Sequence, residues 1–270
     1  RYEHCIGTLH VTWTMLKRFI KNYVKQEKWC NHEVLKLFSD DILKSLRLAA
    51  LLHDLGHGPF SHALERATRY LGPKIDHDII TTYLLTYNFP EESLQNLCPD
   101  QALLKSLEKS EEVNNFKKEL KIIPLEIREI IVGIYSRDYK MRLSEPDGFN
   151  RIRLFLYSLL KGDIGSDRID YLLRDTYFSG LGHRFNFSDL LENLRGIYDE
   201  NSGRLLLAVD SKGRNVVEFL MITRYYHYKL IAHHPRNILE EIKFRERIKR
   251  DLNKSKGINY FLKIAMGDDY

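Results

Sequence analysis

The sequence is poor in the residues that define several protein classes. Its three cysteines, Cys5, Cys30 and Cys98, are far apart, odd in number and in no CxxC pair. This argues against a disulfide framework and a thiolate zinc site, and it suits a reducing compartment, so we expect a cytoplasmic protein. No apolar run approaches the roughly 18–20 residues that a membrane span needs, the longest being the short patch Leu48–Leu52.

The overall composition is that of an ordinary globular protein. The 270 residues are 43% hydrophobic and 29% charged, which excludes the disordered class, and we find neither an internal repeat nor a low-complexity linker. The formal net charge is +5. This mildly basic balance indicates tolerance for anionic ligands such as phosphates but identifies no partner.

Apolar residues recur mostly at helical spacing, which predicts a mainly α protein. The predicted helices are 4–23, 40–55, 60–71, 78–88, 124–135, 151–160, 169–178, 215–231 and 238–252, with less regular helical segments in 90–121. Two short β-prone runs, Arg195–Tyr198 and Arg204–Val209, are joined by DENSG and predict one small hairpin in the C-terminal half.

The stretch AALLHDLGHGPFSHALE ends an apolar helix in polar residues that bind metals. His53 and Asp54 stand at the predicted helix end, where Gly56 and Gly58 break the helix and let adjacent side chains converge. An imidazole nitrogen beside a carboxylate oxygen suits Zn, Mn, Fe, Ni or Mg. A lone His-Asp pair is more often structural, so a metal site needs further ligands.

Two other segments offer such ligands. His4 occupies the apolar stripe of the first predicted helix, where an aliphatic residue would be ordinary. Asp167 lies in GDIGSDRIDYLLRD, a segment with four aspartates that also contains Asp163 as a rival. The residue types and spacing alone leave these choices open.

Three motifs occur in the order RYEH (Arg1–His4), HDLGHGPFSH (His53–His62) and SDRIDYLLRD (Ser166–Asp175). Together they resemble the HD-domain phosphohydrolases. The sequence is most similar to the branch that includes the deoxynucleotide triphosphohydrolases, both the bacterial dGTPase-like enzymes and the vertebrate sterile-alpha-motif/HD-domain enzyme. The resemblance extends to about Lys229 and implies an HD-domain helical bundle.

The resemblance implies a divalent metal ion with four protein ligands: His4, His53, Asp54 and Asp167. Asp167 is preferred to Asp163 because the family pattern then places Tyr171 and Asp175 in register. Four protein ligands leave positions for water and a phosphate oxygen, as catalysis requires.

The resemblance also assigns catalytic and substrate-binding residues. His57 and His62 would approach the phosphates, and Glu65 would orient His77 as the general acid. The implied nucleotide contacts are Arg1, Arg168, Tyr171, Asp175 and Arg224. One departure is the segment AHHPR, where Ala232 and Pro235 replace a Tyr and a Lys common in relatives, and it puts the base preference in doubt.

These residues predict a hydrolase that converts a deoxynucleoside triphosphate to deoxynucleoside and inorganic triphosphate. The alternatives are an HD hydrolase of another phosphate ester (a nucleoside monophosphate, a cyclic dinucleotide or an alarmone) and a non-catalytic nucleotide- or nucleic-acid-binding module. We expect a catalytic core at 1–195, with the hairpin and C-terminal helices at 196–270 packed on it. A homo-oligomer is expected from the resemblance. The basic run KFRERIKRDLNKSK makes nucleic-acid binding possible, but interleaved acids favour a solvated helix face.

Overall fold

The computed structural model describes residues 2–58, 62–68, 77–86, 108–109, 111–135, 148–182 and 184–254. Over these ranges the chain is helical with one two-stranded antiparallel sheet, which confirms the predicted fold class. The chain divides into two compact units: unit 1 is residues 1–51 and 133–234, and unit 2 is residues 52–132 and 235–270. The predicted catalytic core and C-terminal region are a division by role and stay a prediction. Within the described ranges, no helix is both long and apolar enough to cross a membrane.

Unit 1 contains the first helices of the chain, the helices that flank the hairpin, and the hairpin itself. Its elements in chain order are α1 (Tyr2–Tyr23), α2 (Asp40–Leu52, whose last residue belongs to unit 2), α7 (Phe149–Lys161), α8 (Ser166–Phe178), α9 (Phe187–Asn193), β1 (Leu194–Asp199), β2 (Arg204–Val209) and α10 (Arg214–His227). A π-helix, Tyr228–Ala232, follows α10 directly. Unit 2 contains α3 (His62–Thr68), α4 (His77–Leu85), α5 (Glu111–Glu119), α6 (Leu125–Tyr135, which ends in unit 1) and α11 (Pro235–Lys254).

The core of unit 1 forms along the apolar stripe of α1. Met15, Phe19 and Tyr23 are fully buried there. The Phe19 ring lies 4.3 Å from the ring of Phe155 on α7, measured between centroids, and α1 also packs along α8. His4 lies on the same buried face, near the start of α1. The packing of α1 on α8 therefore also fixes the position of that histidine.

The hairpin is attached to this core. Leu194 pairs with Val209 and Asp199 with Arg204, so the two strands are in register over their full length. β1 packs against α1 and β2 against α7. A Cβ on Gly196 would lie 2.7 Å from ring carbons of Tyr23, so the absence of a side chain there is what lets β1 approach α1.

In unit 2, α3 packs on α11 and α4 on α5. Arg66 on α3 makes a bidentate ion pair with Glu241 on α11. The Lys117 ammonium on α5 lies 3.5 Å above the Tyr83 ring on α4. Burial lowers the pKa of Lys117 to about 8. The ammonium group of this cation–π contact therefore loses its proton at a lower pH than an exposed lysine does.

Most predicted elements are present with shifted ends. The helix predicted to reach residue 55 ends at Leu52, and the first helix begins at Tyr2. The sequence analysis missed α9, a seven-residue helix capped by Asn186, whose side chain accepts hydrogen bonds from the N–H groups of Ser188 and Asp189. Predictions for Arg1, Pro59, Cys98 and most of 90–121 fall outside the described residues.

Substituting Gly196→Ala should lower the free energy of unfolding by about 1–3 kcal/mol, because the added methyl group overpacks the Tyr23 ring. Chemical denaturation followed by circular dichroism would measure it. Gly182→Ala is the matched control, since a Cβ there meets no atom within 4 Å. Equal stability of the two variants would contradict this account of the hairpin's attachment.

Candidate metal and phosphate site

In unit 1, His4 is buried between two aspartates of α8. Its Nδ1 lies 2.6 Å from Oδ2 of Asp170, and its Nε2 lies 3.1 Å from Oδ1 of Asp167. An ionised carboxylate only accepts hydrogen bonds, so the short contact assigns the proton to Nδ1. Nε2 faces the Asp167 oxygen, so a proton or a cation is required between these two atoms.

The Asp170 carboxylate is held in place by its surroundings. Arg174, one turn further along α8, donates to the same oxygen of Asp170, over 3.0 Å from Nη2. On the α1 side, a Cβ on Gly7 would lie only 1.9 Å from Oδ1 of Asp170. The glycine of RYEHCIGT is therefore what allows this carboxylate to reach His4.

This arrangement fits a divalent cation. Two lone-pair atoms 3.1 Å apart repel each other unless a proton or a cation lies between them, and two ligand atoms each about 2.1 Å from one ion are separated by about 3.0–3.4 Å. A carboxylate on the far ring nitrogen is also the usual partner of a metal-binding histidine. Asp167 stands in the first turn of α8, where the helix dipole favours its negative charge.

In unit 2, the His-Asp pair lies in the turn that follows α2. His53 is 1% exposed, and its Nε2 is 3.2 Å from Oδ1 of Asp54. The turn is fastened to α4, because the N–H of Gly56 donates to the Thr81 hydroxyl over 2.8 Å. A Cβ on Gly56 would lie 2.3 Å from the carbonyl oxygen of His77, so this close approach requires glycine.

One carboxylate gathers three histidines in the same unit. Oε1 of Glu65 is 2.8 Å from Nδ1 of His77 and 3.2 Å from Nδ1 of His57, while Oε2 is 3.0 Å from Nδ1 of His62. The rings of His57 and His77 stack with centroids 3.7 Å apart and planes 12° apart. The side chain of His57 is 5% exposed and that of His62 is 56% exposed.

The contacts within the cluster shift the pKa values of Glu65 and His57. Burial alone would raise the pKa of Glu65, but hydrogen bonds from His57, His62 and His77 outweigh it, so the pKa lies well below the ordinary value and the group is ionised. Burial lowers the pKa of His57, and Glu65 offsets this only in part. His57 is therefore neutral near pH 7. The single negative charge of Glu65 faces the rings of His57, His62 and His77.

A third cluster, in unit 1, carries two cations. Arg168 on α8 and Arg224 on α10 both face Oδ1 of Asp163, at 2.7 Å and 3.7 Å from their Nη1 atoms. The Arg224 guanidinium also lies 5.7 Å from the centre of the Tyr228 ring, at the start of the π-helix. Two guanidinium groups that share one oxygen can bind a phosphate between them.

Tyr171 and Asp175 adjoin this cluster through His227. Asp175 Oδ2 is 3.0 Å from Nε2 of His227, whose ring lies 5.2 Å from that of Tyr171. Burial raises the pKa of Tyr171, and Tyr228 raises it further, so its hydroxyl stays protonated and can donate. The four described residues predicted to contact nucleotide thus lie in one region of unit 1.

Comparison with known proteins adds a family to this geometry. Residues 1–134 match the family model described as "HD domain". The chain contains an HD domain. The HD domain includes His4 and the His53-Asp54 doublet, whereas Asp167 lies beyond the matched residues.

The HD domain has relatives across several lineages. An uncharacterised protein of Mycoplasma genitalium is 25% identical over 90% of this chain and 46% of its own length. The deoxynucleoside triphosphate triphosphohydrolase SAMHD1 homologue of Dictyostelium discoideum is 26% identical over 87% of this chain and 37% of its own. The chain thus spans less than half the length of these curated relatives. A hypothetical protein from Aquifex aeolicus, solved at 2.0 Å, has the same fold with a TM-score of 0.60, at 24% identity over 98% of this chain and 56% of that one.

The structure brings together some of the predicted residues and adds others. His4 meets Asp167, His53 meets Asp54, and Glu65 contacts His57 and His62 as well as the expected His77. Arg1 lies outside the described residues. The residues that sequence reasoning missed are Asp170, His227 and Tyr228, while Asp163, considered there as a metal ligand, instead contacts arginines.

The Glu65→Gln substitution should lower the pKa of His57 further, because the carboxylate is what offsets burial there. Since unfolded His57 takes up its proton nearer pH 6.5, the variant's native state should lose more stability than wild type as the pH falls through that value. Titration of the histidine ring protons by NMR would measure the pKa. Glu200→Gln, on the exposed hairpin turn, is the charge-matched control. A raised or unchanged His57 pKa in Glu65→Gln would refute this balance.

Proposed function

We propose that this protein is a metal-dependent phosphohydrolase. The observation that carries the proposal is the environment of His4, whose Nδ1 is fixed by Asp170 and whose Nε2 faces the Asp167 carboxylate at 3.1 Å. A buried imidazole flanked by two carboxylates favours a cation at its Nε2, and a divalent ion with nitrogen and carboxylate ligands meets that requirement. The HD domain at residues 1–134 supports the same conclusion, as does the order of the three motifs that resemble the phosphohydrolases.

The proposed metal ligands are the two His–Asp pairs that the resemblance implies, His4 with Asp167 and His53 with Asp54. Each pair supplies one imidazole nitrogen and one carboxylate oxygen, a donor set that suits Zn, Mn, Fe, Ni or Mg. When bound, the ion supplies Lewis-acid chemistry that activates water and polarises a phosphoryl oxygen. The protein's contribution is to hold the donors fixed: Asp170 orients His4, and the Gly56–Thr81 hydrogen bond holds the His53-Asp54 turn.

The Glu65 cluster supplies the proton that the leaving group requires. His77 acts as the general acid, held by Oε1 of Glu65 over 2.8 Å. His57 is neutral because burial lowers its pKa. Its Nδ1 lies 3.2 Å from Oε1 of Glu65. His62, on the other oxygen of Glu65 and 56% exposed, is open to contact the substrate phosphates.

The proposed substrate is a deoxynucleoside triphosphate, split to deoxynucleoside and inorganic triphosphate. Arg168 and Arg224 bind phosphate, and Tyr171 and Asp175 contact the sugar. Support comes from the joint placement of these four residues in unit 1 and from the deoxynucleoside triphosphate triphosphohydrolases among the relatives. A homo-oligomeric state and a cytoplasmic location stay predictions.

The test is metal analysis of the purified protein followed by a panel of nucleotides with each divalent ion. We expect deoxynucleoside and inorganic triphosphate as products, and loss of both metal and turnover in the His53→Ala/Asp54→Ala double variant. Glu200→Gln is the control and should hydrolyse at the wild-type rate. Release of orthophosphate would instead indicate another phosphate ester as substrate. Tight nucleotide or RNA binding without product across all metals would indicate a non-catalytic module.

Asp170→Asn should weaken metal affinity by about 10- to 100-fold without removing a proposed ligand, because the neutral amide lacks the charge that makes the His4 ring a stronger metal ligand. Metal titration in competition with a chelator would measure the change. Asp189→Asn, on an exposed first turn of α9, is the matched control. Wild-type affinity in Asp170→Asn would show that His4 does not bind the ion through Nε2.

A further inference from the structure

Asp163 places a carboxylate on both arginines of the proposed phosphate site. Its Oδ1 is 2.7 Å from Arg168 and 3.7 Å from Arg224. The Arg168 side chain is 19% exposed and that of Arg224 34% exposed, whereas the Asp163 side chain is 83% exposed. Two partly shielded cations thus share an anion that is itself almost fully in water.

The position of Asp163 in the chain explains this exposure. It lies in the short turn between α7 and α8, closed by a hydrogen bond from the N–H of Gly165 to the carbonyl of Gly162. The turn leaves the Asp163 side chain exposed, so its ion pair with the arginines is screened by water and weak. A ligand phosphate can therefore displace it at small cost.

We propose that Asp163 occupies the place of a ligand phosphate on the Arg168–Arg224 pair and thereby sets the affinity and charge preference of that site. Carboxylate and phosphate oxygens accept from the same guanidinium donors, so the two compete. After displacement the aspartate keeps its negative charge nearby, and it repels a ligand in proportion to the ligand's own charge. This inference rests on the proposed phosphate-binding role of the two arginines.

The experiment measures binding of inorganic tripolyphosphate, pyrophosphate and orthophosphate by calorimetry, in chelator and at low salt, so that no metal contributes. Asp163→Asn should tighten tripolyphosphate binding by about 2- to 5-fold, the range expected for removing an exposed ion pair. The gain should be smaller for orthophosphate and should shrink as ionic strength rises. Asp163→Ser, which also removes the charge, should reproduce the gain.

Glu200→Gln removes one negative charge from the same unit on the exposed hairpin turn, and it should bind all three anions as wild type does. In an Arg168→Gln/Arg224→Gln background, Asp163→Asn should produce no gain in anion affinity, because the guanidinium groups for which Asp163 and phosphate compete are absent. The inference is overturned if Asp163→Asn behaves like Glu200→Gln, if the gain is equal for all three anions, or if it persists without the arginines.

Hydrolysis assays keep this inference separate from the proposed function. If Asp163→Asn gains tripolyphosphate affinity in a protein that hydrolyses no nucleotide, the inference holds and the proposed function fails. If the wild type hydrolyses deoxynucleoside triphosphates and Asp163→Asn has an unchanged KM, the inference fails and the function holds. Where both hold, KM for the triphosphate falls by the same factor as the tripolyphosphate dissociation constant.

Discussion

The hydrogen bond from His4 Nδ1 to Asp170 is the contact on which the chemistry of unit 1 depends. It fixes the imidazole tautomer, and with it the direction of the lone pair that faces Asp167. Without a partner on Nδ1, the proton could occupy either nitrogen, and Nε2 would simply donate to Asp167. The 2.6 Å contact therefore orients the ring so that Nε2 faces Asp167, where a metal ion can take the place of a proton.

The two units combine carboxylates and imidazoles in opposite ratios. In unit 1, two aspartates face one ring, which accumulates negative charge in a buried place and favours a cation. In unit 2, three rings face the one carboxylate of Glu65, which is ionised and holds His77, the proposed general acid, by its Nδ1. The ratio of acids to histidines thus differs between the metal site and the proton-transfer site that we propose.

Glycine makes both arrangements sterically possible. Gly7 leaves the space into which the Asp170 carboxylate fits, and Gly56 lets the His53-Asp54 turn approach the start of α4. Neither glycine has a positive φ, so the requirement is for space and not for an unusual backbone conformation. In each case an added methyl group would overlap an existing atom, Oδ1 of Asp170 at Gly7 and the carbonyl oxygen of His77 at Gly56.

Much of the fold was predictable, because long amphipathic helices such as α1, α7 and α8 carry their own periodic signal. The seven-residue α9 was not, since two buried leucines make no period, although the Asn186 cap was visible in the sequence. Within the site, Asp170 was missed because its ion pair with Arg174, four residues along the same helix, already explains it locally. Its partner His4 is 166 residues away.

The two candidate aspartates show where local pattern stops being informative. Asp163 and Asp167 are four residues apart in the same acidic segment, and spacing alone would allow either to bind a metal. The helix start separates them: Asp163 lies in the turn before α8 and reaches the arginines, whereas Asp167 lies in its first turn, on the same face as Asp170 and against His4. α8 begins at Ser166, between the two aspartates. Four residues of chain therefore separate a carboxylate that faces arginines, Asp163, from one that faces an imidazole, Asp167. The boundary of a helix, which sequence patterns locate least well, is here what assigns the chemistry.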